Sequence, residues 1–370
     1  MRDVTAQFTM DDAVLHPGYR PEEGSDEEGL WRMMDRAEGN LQLSRFVVRD
    51  PQLNEFISDM ICRLGKDYCP DIRAYVVRTP YFNASMAPNG MMQIWTGLLL
   101  RCSDEAQLAA IVGHEMGHYI HRHSIQRFRD VRNKAGLSAF LGLGLAAAGA
   151  GWAGNITDLA LTASIFSFSR EQEREADSVG LEIMARAGYT PVAAHEVWQQ
   201  LLAEQEVSTA DRTQNVMFAS HPAPEERLVT LREQAELLDG ERGERGYERF
   251  RESLAGVRQQ IVDDELRLRQ YGRSEVVFDR LIAQSPKDGL LWYAKGEVYR
   301  KRAEPGDLKR ALDAYQTALD TDSAPPETYR SIVLVELKQG NKAKARSTLD
   351  LYLEKYPEAA DADSLQMLFY

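Results

Sequence analysis

Cysteine and net positive charge are both scarce in this sequence, and each scarcity excludes something. Three cysteines, Cys62, Cys69 and Cys102, cannot build the disulfide framework that replaces a core in small secreted domains. Cys62 and Cys69 are near enough in sequence for a single bridge, yet two unrelated thiols, some of them buried, is the simpler expectation. The formal net charge is −13, which argues against a general affinity for nucleic acid. Met1 to Met10 hold no apolar run flanked by positive charge, so no signal peptide is expected here. A secreted chain lacking its leader reads the same way, and the compartment stays open. What is present is ordinary for a globular protein: 44% hydrophobic and 27% charged residues, in a 370-residue chain with room for two domains.

The acidic, glycine-containing stretch Pro21 to Gly29 reads as a flexible arm without a function of its own. Helical periodicity begins near Leu30 and continues through Leu53 to Leu64. β-Branched and aromatic residues then mark a strand over Ile72 to Val77, and a second strand over Met91 to Trp95 follows the turn signal Asn89-Gly90. A long helix is expected next, with Ser103 as N-cap, Asp104 and Glu105 at the positive end of its dipole, and continuation through His123. Another helix starts at Ser169, with Gln172 completing a capping box, and stops at Gly188. Between them, Ala135 to Thr157 carries no charge and is rich in glycine and alanine. Its length suits a bilayer span, a hairpin lying on a membrane surface, or a packed segment, and the glycines weaken the first reading.

The last third changes character. Gly240 to Glu252 is charged and contains three glycines, which suits a boundary. Beyond it, Ala311, Tyr315 and Ala318 recur 34 residues later as Ala345, Leu349 and Tyr352, with Pro357 closing the unit. Ser274, Phe278, Leu281 and Pro286 hold the same relative places upstream at an offset of 37, lengthened by an insertion near Arg302 to Gly306. Trp292, Gly296 and Tyr299 fit the first helix of the middle unit. This period resembles tetratricopeptide repeats, whose helix pairs bury their apolar faces only by stacking.

His114-Glu115-Met116-Gly117-His118 is an HExxH sequence inside a predicted helix. Four residues make about 1.1 turns, so the two imidazoles share a face and can share a metal. Neutral imidazole suits zinc, and catalytic zinc has three protein ligands and an open position. Glu115 is rotated about 100° from His114, which lets it address water there and accept its proton. A surface helix that happens to carry two histidines is the plainer alternative, and a third ligand would exclude it. The metzincin extension fails, because His121 and Ser124 stand where glycine and histidine are needed. A thermolysin-like spacing fits poorly, with Asp130 the only nearby acid. Glu173 and Asp177 fit better: they are four apart, beside the small residues Ala176 and Gly180 that permit close helix approach. One carboxylate can bind zinc while the other holds a ligand histidine. An ordinary charged helix face, with Glu171, Glu175 and Glu182, stays open on spacing alone.

HEMGH, then SREQEREAD from Ser169 to Asp177, then SHP at Ser220 to Pro222 with Arg227 beyond, resembles the M48 peptidase family. Within it the chain is similar to the soluble branch with C-terminal tetratricopeptide repeats, which includes periplasmic proteases and chaperones of outer-membrane assembly. The resemblance covers roughly Leu41 to Leu238 plus the repeats. It implies one zinc ion held by His114, His118 and Glu173, Glu115 as catalyst, and Asp177 as the acid behind a ligand. Asn83 to Gly97 is similar to the family's edge strand, so Asn83, Ala84, Ser85, Met86 and Ala87 are expected to hold an extended substrate. Met86 and Asn89 are larger than the residues common there. His221 is expected to occupy the open zinc position and keep the enzyme latent, or to donate to the oxyanion; stacking on Pro222 is the alternative. Arg227 is expected to orient that loop through a carboxylate or to be a solvated helix arginine. His121 and His123 extend the long helix; His121 lies near its metal-facing side, where a helix-surface histidine is the plainer reading than a fourth ligand, and His16 and His195 have no evident partner.

The expected architecture is α+β and mostly α-helical. It runs as an arm (1–40), a zincin-type metallopeptidase domain with a small sheet (41–239), a charged connection (240–265) and an α-solenoid of tetratricopeptide repeats (266–370). The expected activity is zinc-dependent endopeptidase action on misfolded or unassembled proteins, with the repeats docking substrates or partners and no nucleic acid involved. The resemblance implies the periplasm, with membrane-surface contact through 135–157 open. A chaperone or adaptor in envelope assembly with little proteolysis is the alternative from another class. A membrane-integrated peptidase is a third reading.

Overall fold

Helix caps and turns legible in the sequence set most of the element boundaries. The computed structural model describes residues 14–135, 168–208, 216–221 and 224–369. The uncharged Ala135 to Thr157 stretch lies outside them except for Ala135, the last residue of a helix. The chain is mostly helical with one small sheet, and it divides into two compact units, 1–205 with 210–261 and 206–209 with 262–370. Among the described residues no helix is long and apolar enough to cross a membrane.

In the first unit, α1 (Asp26–Gln42) starts where Ser25 accepts a hydrogen bond from the Glu28 N–H, with three acids in the first turn. Part of the stretch expected to be a flexible arm is therefore helical, and Leu30 packs with Ile125 and Phe128. The next helix, α2 (Pro51–Leu64), is capped by Asp50 and starts on a proline, which has no N–H to lose there. After it the chain folds back through turns at Gly65 and Tyr68. That brings Cys62 and Cys69 to a Cα separation of 4.7 Å and into a disulfide, so the expectation of two separate thiols fails. Cys102 is buried and lies outside the disulfide.

Strands β1 (Arg73–Val77), β2 (Ala84–Met86) and β3 (Met91–Trp95) form a sheet in the order β1-β3-β2. The central β3 runs parallel to β1 and antiparallel to β2. Gly90 makes the β2–β3 turn at φ 86°, a conformation that favours glycine. Asn83 O accepts from Trp95 N–H and Ala87 N–H donates to Met91 O, at 3.1 and 2.8 Å. By antiparallel alternation the backbone groups of Ala84 and Met86 then face away from β3, along the free edge.

A short helix, α3 (Thr96–Arg101), leads to α4 (Glu105–Ile120), every residue of which is buried. Its N-cap is Asp104, not Ser103: the Asp104 carboxylate accepts from Gln107 N–H at 2.9 Å, while Ser103 donates its own N–H to Gln107 Oε1. The helix also ends sooner than expected. The chain breaks at His121 and Arg122, and α5 (His123–Ala135) starts in a new direction. Arg245 ties the charged connection to the start of α4, pairing with Asp104 at 3.0 Å and Glu196 at 2.7 Å.

α6 (Arg170–Arg186) has the expected Ser169–Gln172 capping box, and Gly188 follows at φ 82°. It crosses α4 at very short range. A Cβ on Gly117 would lie 2.8 Å from Ala176 O, one on Gly113 3.0 Å from Gly180 O, and one on Gly180 2.8 Å from His114 N. The unit is completed by α7 (Val192–Glu206), α8 (Val216–Ser220), α9 (Pro224–Leu237) and α10 (Tyr247–Ser253).

α11 (Arg258–Arg267) runs from the first unit into the second, whose other helices are α12 (Tyr271–Gln284), α13 (Gly289–Arg302), α14 (Asp307–Leu319), α15 (Glu327–Lys338), α16 (Lys342–Lys355) and α17 (Ala362–Met367). The recurring positions Ala311, Tyr315, Ala318, Ala345, Leu349 and Tyr352 are all buried. Glu297 of α13 accepts from Tyr315 Oη of α14 and Ser331 Oγ of α15, both at 2.7 Å, and pairs with Arg300 at 2.7 Å. Burial pushes its carboxyl up, but the Arg300 hydrogen bond and charge, with the two hydroxyls, outweigh that and hold it at about 2.

Two predictions follow from this packing. Gly180→Ala forces a methyl against backbone, and a loss of roughly 1–3 kcal/mol is expected from overpacking, read as a lower midpoint of urea unfolding; an unchanged midpoint would mean that α4 and α6 are not this close. Because the Glu297 carboxyl is depressed on folding, its stabilisation is present above the ordinary value of 4.5 and is lost as pH falls towards about 2. It amounts to roughly 3 kcal/mol at most, so hydrogen exchange across 289–338 should accelerate over that interval, and Glu297→Gln should flatten the response.

Candidate metal centre

The glycine-lined crossing of α4 and α6 decides what His114 and His118 meet. Their Nε2 atoms lie 3.0 Å apart, and the Glu173 carboxylate of α6 lies 3.6 Å from each. His221, which follows α8, brings Nδ1 to 3.2 Å from His114 Nε2 and 3.0 Å from Glu173 Oε1. The four residues are buried, and each offers a ligand atom within 4.8 Å of the others. Four ligands at roughly 2.0–2.1 Å from a tetrahedral zinc stand roughly 3.4 Å from one another, which is the scale of these separations.

The hydrogen bonds around the group point the same way. Asp177 accepts from His114 Nδ1 at 2.9 Å, which leaves the Nε2 lone pair facing Glu173 and His118. Arg227 donates to both oxygens of Asp177, at 2.8 and 2.5 Å, and lies 2.8 Å from Glu173 Oε2. Its guanidinium sits over the Trp198 ring at 4.0 Å. Three imidazoles and a carboxylate therefore converge on one buried point, an arrangement that fits a cation. Glu115 lies alongside with Oε1 buried, 3.5 Å from His221 Nε2 and without a hydrogen-bond partner among the described residues. The Met86 N–H of the edge strand donates to the Glu115 carboxylate.

The charge states of His114, His118 and Glu173 match this donor set, while burial pushes His221 down but the Glu173 charge and hydrogen bond, with the Glu115 charge, raise it overall. Burial, helped by the Arg227 charge, holds His114 down to about 4 against the pull of Asp177 and Glu173. Burial and the surrounding imidazoles hold His118 well below its usual value. Glu173 is pushed up by burial, yet the charges of His221 and Arg227 win and lower it. Asp177 is held well below the carboxylate range in the same way, chiefly by Arg227 acting against burial. Glu115 is pushed up to about 7 by burial, aided by the Glu173 charge. Neutral imidazoles with an ionised glutamate are what zinc binds.

The structure brings together His114, Glu115, His118, Glu173, Asp177, His221 and Arg227. Pro222, the alternative partner for His221, lies outside the described residues. Arg227 is not a solvated arginine, being 1% exposed. Asn83 and Ala87 flank the edge strand β2, in which Ser85 is exposed while Ala84 and Met86 are buried. His123 was expected to extend the long helix, but it is fully buried with Nδ1 2.8 Å from His118 Nδ1. The helix break at Arg122 turns it inward, and no periodicity marks that break. His195 does have a partner, donating from Nδ1 to Leu228 O at 2.9 Å. Phe168 was missed altogether: it stacks on His118 with ring centroids 3.9 Å apart and donates its N–H to Ser220 O. Its one signal was its place just before the Ser169 cap, where an apolar residue commonly packs back on its helix.

Two histidines from an HExxH helix and a glutamate from a second helix define the site of a zincin-type metallopeptidase. The chain belongs to peptidase family M48, whose profile matches residues 48–235. Among its relatives, mitochondrial metalloendopeptidase OMA1 of Schizosaccharomyces pombe is 32% identical over 162 residues, 43% of this chain and 45% of that protein. The beta-barrel assembly-enhancing protease of Escherichia coli is 27% identical over 198 residues, 51% of this chain and 40% of that protein. The chain thus spans less than half the length of each of these relatives.

Asp177→Ala removes the acceptor that fixes the His114 tautomer. Zinc affinity is expected to fall about 10- to 100-fold, measured by competition with a chelator; an unchanged affinity would take Asp177 out of the metal site.

Proposed function

We propose that this chain is a zinc-dependent endopeptidase of misfolded or unassembled proteins, held latent by His221. The observation that carries the reading is the buried convergence of His114, His118 and Glu173, with Glu115 beside them. One zinc ion, when bound, supplies Lewis acidity towards water and the scissile carbonyl. His114, His118 and Glu173 hold it. Glu115 takes a proton from the attacking water at its unpartnered Oε1 and returns it to the leaving amine. His221 Nδ1 fills the place that a catalytic site keeps open, so a peptide enters only once His221 withdraws. Its Nε2, already facing Glu115, is then suited to donate to the developing oxyanion.

The free edge of β2 supports binding of an extended substrate. Ala84 and Met86 present backbone groups there, and the Met86 N–H bound to Glu115 ties that edge to the catalytic base. Pairing through backbone gives loose sequence preference, as a protease of unfolded chains needs. The 34-residue recurrence, with its counterpart positions buried, supports reading the C-terminal helices as tetratricopeptide repeats that dock substrates or partners. A periplasmic location is supported by the similarity to the assembly-enhancing protease and by the Cys62–Cys69 disulfide, a bond that persists in oxidising compartments.

A second reading, a chaperone or adaptor with little proteolysis, is favoured by the burial of every group at the site. His114, Glu115, His118, Glu173 and His221 are each 3% exposed or less, so this conformation admits no peptide. Casein cleavage by His221→Ala, and by the same protein carrying Glu115→Gln, separates the two readings, with zinc content measured in both. The protease reading expects His221→Ala to cut faster than the parent chain and the double variant not to cut. A zinc-loaded His221→Ala protein that leaves casein intact would favour the adaptor.

A further inference from the structure

Three side chains beside the metal centre lie outside its ligand set. His121 Nδ1 lies 2.7 Å from Glu175 Oε1, and His123 Nε2 lies 3.0 Å from Glu175 Oε2. The three offer ligand atoms that all lie within 4.8 Å of one another. His123 is fully buried, whereas the side chains of His121 and Glu175 are 22% and 49% exposed, so the group opens to water without passing the first site. Residues two apart on a regular helix point about 200° from each other and cannot share a ligand. Here they do, because Arg122 between them takes φ 56°, a left-handed conformation uncommon for a residue with a side chain. Arg122 is held in it by Glu27 and by the Tyr19 hydroxyl at 3.3 Å. A backbone outlier fixed by two partners, at the point where two histidines converge, is the kind of strain that clusters at ligand sites.

We propose that His121, His123 and Glu175 form a second site for zinc or a similar divalent transition metal, weaker than the first because two of its three donors are open to water. The proposal rests on the reading of His114, His118 and Glu173 as the first zinc site. Two imidazoles and a carboxylate are the same donor set.

The test titrates Zn2+ alone into the Glu115→Gln protein, which cannot digest itself, and counts bound zinc by equilibrium dialysis. His121→Ala and Glu175→Gln are measured in parallel on the same background. Two bound zinc ions are expected, one tight and one weaker, the second vanishing in both variants while His121→Ala keeps the first at unchanged affinity. A single zinc at all concentrations, or a second that persists in both variants, overturns the second site. Absence of any tight zinc overturns the reading of the first site instead, and the response of the weak zinc to His121→Ala still decides the second.

Discussion

The whole site depends on two helices meeting with almost nothing between them. Gly113 and Gly117 on α4 face Ala176 and Gly180 on α6, and the added Cβ positions fall 2.8 to 3.0 Å from opposing backbone. At that distance Glu173 reaches Nε2 of both histidines and Asp177 reaches Nδ1 of His114. Side chains of ordinary size would hold the helices apart and leave two histidines on one helix and two acids on another. The HExxH spacing provides the ligands, and the small residues provide the closeness.

That closeness buries ionisable groups, and burial then sets their chemistry. His114 and His118, removed from water, stay neutral, which is the state a metal binds. Two carboxylates are kept ionised against the same burial, Glu173 by His221 and Arg227 and Asp177 chiefly by Arg227, which touches both. Removing one member of such a buried set leaves a charge uncompensated, so the network specifies the geometry as much as it stabilises it. The edge strand is tied in through the Met86 N–H and the His221 segment through Phe168, so both share contacts with the residues of the metal centre.

Much of this was legible in the sequence because local rules determine it. The capping box at Ser169, the Asn89-Gly90 turn, the HExxH face and the spacing of Glu173 and Asp177 each depend on residues a few positions apart. The mostly helical character and two of the three strands followed from the same patterns, whereas the edge strand entered only through the family resemblance. Other features depend on partners far away in sequence. His123 is buried because Arg122 adopts a left-handed conformation held by Glu27 and Tyr19, nearly a hundred positions upstream. Phe168 stacks on His118 across the fold, and the Cys62–Cys69 bridge needs the particular turn at Gly65 and Tyr68. The glycines of α4 were visible, but their meaning appears only when α6 lies against them.

The central claim is that His114, His118 and Glu173 hold zinc while His221 closes the remaining position. X-ray absorption at the zinc edge tests it most directly, because it counts imidazole ligands on the metal itself. The account predicts three imidazoles and one oxygen donor in the resting chain, at about 2.0–2.2 Å, and two imidazoles after His221→Ala. A chain purified without zinc, or an imidazole count that His221→Ala leaves unchanged, would contradict it.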